Sequence, residues 1–169
     1  GEVCDTYNLS VGVRTVELIK SDGTDKDGNG DFCFKVNGKK IFVLGTNWVP
    51  LDAFHSNDIN RLPKALELLD DIGCNMVRCW GGNVYESDEF FDFCDKKGIM
   101  VWQDFAMGCS VYPQEKRFAD MLSEEVIYQI KRLRNHASLT LWAGDNECDL
   151  SYESWSGFIR DPNNNFLTR

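Results

Sequence analysis

With 169 residues and a formal net charge of −9, the chain is long enough for one ordinary domain. It is too acidic for a nucleic-acid surface, which needs clustered Lys and Arg. Its composition, 43% hydrophobic and 27% charged, is that of a globular chain, and no apolar run approaches the roughly 18 residues of a membrane span. Neither nucleic acid nor membrane is expected as a partner.

Gly1 opens directly into polar sequence, without initiator Met or leader, so a processed or excised chain is expected. The seven cysteines are odd in number and irregular in spacing, and several lie inside apolar runs such as "FCFKV" and "VRCW". Small buried hydrophobes are expected, rather than a disulfide framework or a zinc site.

In chain order, "VGVRTVEL" (11–18) alternates as a strand does, and "DFCFKVNGKKIFV" (31–43) reads as two strands around Asn37-Gly38, a tight hairpin turn. The polar loop between them contains "DKDGNGD", which begins like a calcium loop with Asp25, Asp27, Asn29 and Gly30. The position that should supply a bidentate Glu holds Val36, so a plain hairpin loop is expected.

From about residue 41 the pattern alternates. "KIFVLGTNW" (40–48) is a first strand. A helix over 59–73 follows, with Leu62, Leu66, Leu69 and Ile72 on one face and Gly73 as its stop. "CNMVRCW" (74–80) is a second strand. The second helix (87–98) has Ser87 as N-cap, acids in its first turn and lysines in its last. "IMVWQDF" (99–105), a helix over 118–136 and "SLTLWAG" (138–144) complete the set. Strands alternating with helices over short connections predict a parallel α/β sheet, either doubly wound or part of a (β/α)8 barrel. No GxGxxG follows the first strand, which disfavours nucleotide binding.

Polar residues collect after the strands: Asn47, Trp48 and Asp52 after the first, Arg78 and Trp80 at the second, Gln103 and Asp104 at the third, Asn146 and Glu147 after the fourth. In parallel α/β architecture these positions converge on one mouth, the catalytic face of a barrel. Any one of them has an ordinary reading: Trp80 as core, Arg78 as an ion-pair partner, Asp104 as a helix cap. Together they suit a sugar, whose C–H face stacks on indole while its hydroxyls take hydrogen bonds. His55 and His136 lack metal-ligand spacing, and Cys109 and Ser110 have no nearby base, so neither a metal nor another cofactor is expected.

The segments "VNGKKIFVLGTNWVPLDAFHS", "NMVRCWGGNVYESDEFFDFCDKKGIMVWQDF" and "YQIKRLRNHASLTLWAGDNE" resemble the β-mannosidase branch of glycoside hydrolase family 2, over about residues 11–149. The resemblance implies that 1–40 end a β-sandwich domain and lead into the barrel, and that 41–169 form the N-terminal half of a (β/α)8 catalytic barrel. It implies a retaining exo-β-glycosidase acting on terminal β-mannose, with Glu147 as general acid/base. Asn146 would bind near the 2-hydroxyl, Asn47, Asp52, Trp80 and Asp104 would line the sugar subsite, and Arg78 would support the nucleophile. That nucleophile is expected after a seventh strand, outside this chain, so the segment alone is expected to be inactive. Asp145 stands where the family more often has Asn. The open alternatives are a non-catalytic sugar-binding module on a half barrel, and a family member acting on another β-glycoside. Open barrel edges also suggest a homo-oligomer.

Overall fold

The computed structural model describes residues 1–153 other than Asp22, Thr24 and Gly28; the end of the expected 41–169 half barrel therefore lies outside the described residues. It contains a three-stranded antiparallel sheet, β1 (Val16–Lys20), β2 (Phe32–Val36) and β3 (Lys39–Ile41). Asn37 (φ 48°) and Gly38 (φ 79°) make the turn between β2 and β3. This left-handed pair is what a two-residue hairpin requires. The β1–β2 loop is closed by its own polar groups. The Asp25 carboxylate accepts from the amides of Asp27 and Asn29, each at 2.9 Å. The Asn29 amide is the first cause holding the Asp25 carboxyl below its usual range.

The second sheet is parallel, in the order β4 (Gly45–Trp48), β5 (Met76–Cys79), β6 (Met100–Asp104) and β7 (Leu139–Ala143). The connections are α1 (Asp58–Asp71), α2 (Asp88–Lys97) and α3 (Lys116–Leu133), and α4 (Cys148–Glu153) follows β7. α1 buries Leu62, Leu66 and Leu69, as its spacing predicts. Ile72 does not join that face; it lies past the last helical turn and is exposed. Ser87 takes the extended cap conformation before α2, although its side chain makes no capping bond.

The expected first strand, 40–48, is in fact two. Ile41 pairs with Phe34 in the antiparallel sheet, whereas Gly45 pairs with Met76 in the parallel one. The break is held by Asn75. Its Oδ1 accepts from the Leu44 amide at 2.9 Å and its Nδ2 donates to the Phe42 carbonyl at 2.9 Å. One side-chain amide thus satisfies the backbone where the chain leaves one sheet for the other.

Side chains alternate across the parallel sheet. Trp48, Val77, Cys79, Val101 and Leu139 face the helices and pack with Leu66, Phe90, Phe91 and Leu133. Met76 and Met100 face the other way and pack with Phe34 of β2, beside Trp102 and Leu141. A doubly wound sheet carries helices on both faces. Here helices pack on one face and the antiparallel sheet meets the other, the arrangement of a partial (β/α)8 barrel. The cysteines are all free thiols, but only Cys79 and Cys94 are fully buried, and Cys4 and Cys109 are exposed. The expectation of buried cysteines fails for that pair because both lie in irregular segments outside the packed elements.

Candidate active site

The carboxyl ends of β4 to β7 lie side by side, and a continuous polar network runs across them. Its centre is Asp104, the last residue of β6, which is 1% exposed. Each carboxylate oxygen takes two donors. Oδ2 accepts from Arg78 Nη2 at 2.6 Å and from the Gly81 amide at 3.0 Å. Oδ1 accepts from Trp102 Nε1 at 2.9 Å and from Arg78 Nε at 3.3 Å. A buried carboxylate is tolerated only with this degree of compensation. Asp104 is therefore not a helix cap. Nor does it offer a free oxygen to the mouth, as a residue lining a sugar subsite would; what it controls is the orientation of Arg78.

Arg78 in turn reaches both neighbouring strands. Its Nη1 donates to Asn47 Oδ1 on β4 at 3.4 Å, and its Nη2 donates to Asn146 Oδ1 beyond β7 at 2.8 Å. Because guanidinium only donates, the Asn146 amide must present its oxygen to Arg78 and its NH2 group away from it. That NH2 group reaches Glu147 Oε2 at 3.1 Å. Asn47, Arg78, Asp104, Asn146 and Glu147 are thus one hydrogen-bonded chain spanning four strands.

Glu147 and Asn146 lie beyond the end of β7, yet they are not on a loose loop. The Asn146 amide donates to the Met107 carbonyl at 2.9 Å and the Asn146 carbonyl accepts from the Cys109 amide at 2.7 Å. This parallel bridge between Gly108 and Asn146 extends the β6–β7 pairing past both strands. Glu147 itself has φ 58°, a left-handed conformation that an L side chain rarely adopts. The loop above β5 joins the same unit. A Cβ at Gly81 would meet the Met107 carbonyl oxygen at 2.3 Å, and one at Gly108 would meet the Gly82 nitrogen at 3.0 Å. Only glycine lets these backbones touch.

Trp80 follows β5 at the mouth, its indole folded over Gly82, where an added Cβ would strike the ring at 2.1 Å. Asp52 lies in the β4–α1 connection, and no hydrogen bond joins it to the network among the described residues. Its carboxylate accepts from the Phe54 amide at 3.0 Å and pairs with Arg61 at 3.0 Å. Those contacts, the Phe54 amide first, hold its pKa below the ordinary value.

Sequence reasoning missed two participants, Trp102 and Cys109, and a buried acid outside the network, Glu86. Trp102 was findable, since it sits two residues before Asp104 and so on the same face of β6. Glu86 is buried and accepts from Trp48 Nε1 at 2.9 Å; burial raises its pKa despite that bond. Cys109, set aside in the sequence for want of a nearby base, has its Sγ 3.3 Å from Glu147 Oε2. The tightest set of metal-type donors among the described residues is Asp92, Asp95 and His136, at the opposite end of the strands. Asp95 is already engaged there by the Ser138 amide at 2.7 Å and by His136 Nδ1 at 2.8 Å.

Residues 30–158 match the family model for the TIM barrel domain of glycosyl hydrolases family 2. The β-mannosidase of Bos taurus is 38% identical over 161 residues, which is 92% of this chain and 18% of that protein. That of Rattus norvegicus is 42% identical over 139 residues, 82% of this chain and 16% of that protein. The chain thus spans less than a fifth of the length of these curated relatives. Among solved structures, a β-D-mannosidase from Dictyoglomus thermophilum superimposes with a TM-score of 0.74 at 41% identity, covering 81% of this chain and 17% of that one. A β-glucuronidase from Bacteroides uniformis, at TM-score 0.67 and 20% identity over 82% of this chain and 16% of that one, shares the fold.

Proposed function

Since the chain belongs to glycosyl hydrolase family 2, we propose that it supplies the acid/base half of a retaining exo-β-mannosidase site, removing terminal β-D-mannose. The observation that carries the proposal is the Asn146–Glu147 pair, held at the mouth by the bridge to Gly108 and oriented through Arg78. In a retaining mechanism one carboxyl group protonates the departing oxygen and a second, about 5 Å away, attacks the anomeric carbon. Glu147 is the acid, and afterwards the base that activates water. Asp104 cannot be the nucleophile, because all its lone-pair positions are taken and it is buried. By the family resemblance the second carboxylate comes from outside the described residues, with Arg78 beside it.

The remaining roles follow from placement. Asn146, beside Glu147, contacts the 2-hydroxyl through Oδ1, which has a lone pair left after Arg78; such hydrogen bonds strengthen toward the oxocarbenium-like transition state. Trp80 offers an indole face to the apolar side of the sugar. Asn47 and Asp52 line the subsite, and Asp104 acts on it through Arg78. Residues 1–40 lead in from a β-sandwich domain, and no cofactor is required.

The test is a Glu147→Gln substitution in a full-length chain that carries this segment. Loss of a general acid costs about 10²–10⁴-fold, and the loss should fall on β-1,4-mannobiose while dinitrophenyl β-mannoside, which needs no protonation to leave, keeps most of its kcat/KM. Equal kcat/KM for mannobiose in both proteins would dismiss the assignment. Assaying β-mannoside, β-glucuronide and β-galactoside side by side tests the sugar.

A further inference from the structure

Among the described residues, three that are not glycine have left-handed backbone: Asn37, Cys109 and Glu147. Asn37 has the obvious reason of a hairpin turn. The other two meet each other. Such conformations persist only where surrounding structure over-determines them, and they concentrate at functional sites.

Here the surrounding structure is the bridge between the loops above β6 and β7, which fixes Cys109 through its amide on the Asn146 carbonyl. The thiol then closes a three-membered ring of contacts. Cys109 Sγ donates to Glu147 Oε2 at 3.3 Å and accepts from Asn146 Nδ2 at 3.2 Å, while that same Nδ2 lies 3.1 Å from Glu147 Oε2. Loss of solvent around Sγ, and then its bond to Glu147, raise the thiol's pKa, so it stays protonated and remains a donor. Oε2 therefore faces two donors, and Oε1 has no hydrogen-bond partner among the described residues.

We propose that Cys109 is a positioning residue for Glu147, holding Oε2 as an acceptor so that the transferable proton resides on Oε1, the oxygen left free for the glycosidic bond. The proposal rests on the reading of Glu147 as acid/base. No new covalent step is involved. A carboxylic acid whose one oxygen accepts from a thiol and an amide places its own proton on the other oxygen, and Cys109 makes that choice before substrate arrives.

The experiment compares Cys109→Ala, Cys109→Ser and Glu147→Gln in a full-length chain carrying this segment, using kcat/KM to isolate the first chemical step. Cys109→Ala should lower kcat/KM for mannobiose by about tenfold, a part of the ~10²–10⁴ available to the acid itself, and leave dinitrophenyl β-mannoside within about twofold. Cys109→Ser, which keeps a donor, should recover most of the loss. As a second measurement, methyl methanethiosulfonate on the unsubstituted protein should depress mannobiose turnover selectively. Dithiothreitol should restore that turnover, and Cys109→Ser should be insensitive to the reagent. An equal loss on both substrates, or none on either, overturns the proposal. A Glu147→Gln protein with full mannobiose activity would instead overturn the underlying acid/base reading, whatever the cysteine variants do.

Discussion

Arg78 and Asp104 form an ion pair whose two halves are unequally placed. The Asp104 side chain has no exposed surface, whereas that of Arg78 keeps 27% of its own. Removing one member of a buried pair strands the other charge, and the cost depends on whether the survivor can reach water. Arg78→Met leaves a carboxylate that cannot, and should destabilise by about 3–5 kcal/mol. Asp104→Asn leaves a guanidinium that can turn outward, and should cost about 1–2 kcal/mol. Chemical denaturation midpoints of the two variants check the order; if Asp104→Asn is the worse, the burial difference is not what governs the pair. Much of this network was legible in the sequence, because Asn47, Arg78, Asp104 and Glu147 all follow apolar runs at strand ends. Its internal hierarchy was not. A sequence marks Asp104 as polar at a strand end and puts Trp102 on the same face, but says nothing of the Gly81 amide, 23 residues away, that helps seal it beneath the surface.

The elements are joined by a few polar clamps, and the one between β4, α2 and α3 depends on pH. Glu86, just before α2, accepts from Trp48 of β4 through Oε1, while its backbone carbonyl accepts from Arg132 of α3 at 2.9 Å. Burial raises the Glu86 pKa above its ordinary value of about 4.3. The native state then binds more protons than the unfolded state across that window. Stability therefore falls as pH rises from the unfolded value through the native one, and the penalty is complete above it. Glu86→Gln keeps an oxygen acceptor for Trp48 and removes the titration, so its stability relative to the parent should improve from pH 4 to pH 7. Urea midpoints at the two values give the sign, and an unchanged difference would place the penalty elsewhere. At this scale the sequence was informative wherever periodicity is local. α1 and α2 lie within two residues of expectation. The splitting of 40–48 was hidden, since Lys40 to Trp48 reads as one β-favouring run and the amide that divides it, Asn75, is 31 residues beyond Leu44.

At the scale of the whole molecule, the parallel sheet is covered by helices on one face and meets the antiparallel sheet on the other. Phe34, 3% exposed, is the fully buried residue that β2 contributes to that contact with Met76 and Met100. Between the two sheets lies a cleft of about 710 Å³ lined by Phe32, Phe42 and Val43 as well as by Asn47, Arg78 and Trp102. The floor of the proposed site is thus continuous with the hairpin. Phe34→Ala should remove about 3–5 kcal/mol, and hydrogen exchange should show where. Protection should fall in β1 to β3 and persist in β5 and β6; uniform loss would mean that the two sheets unfold as one unit. A last consequence comes from the seam where Gly81, Gly82 and Gly108 meet main chain to main chain. Side chains are the alphabet in which a lineage rewrites substrate preference, and this seam has none to enlarge, shrink or recharge. A change of substrate preference made by substitution has its room on other walls, such as the connection from residue 49 to 57 that carries Asp52.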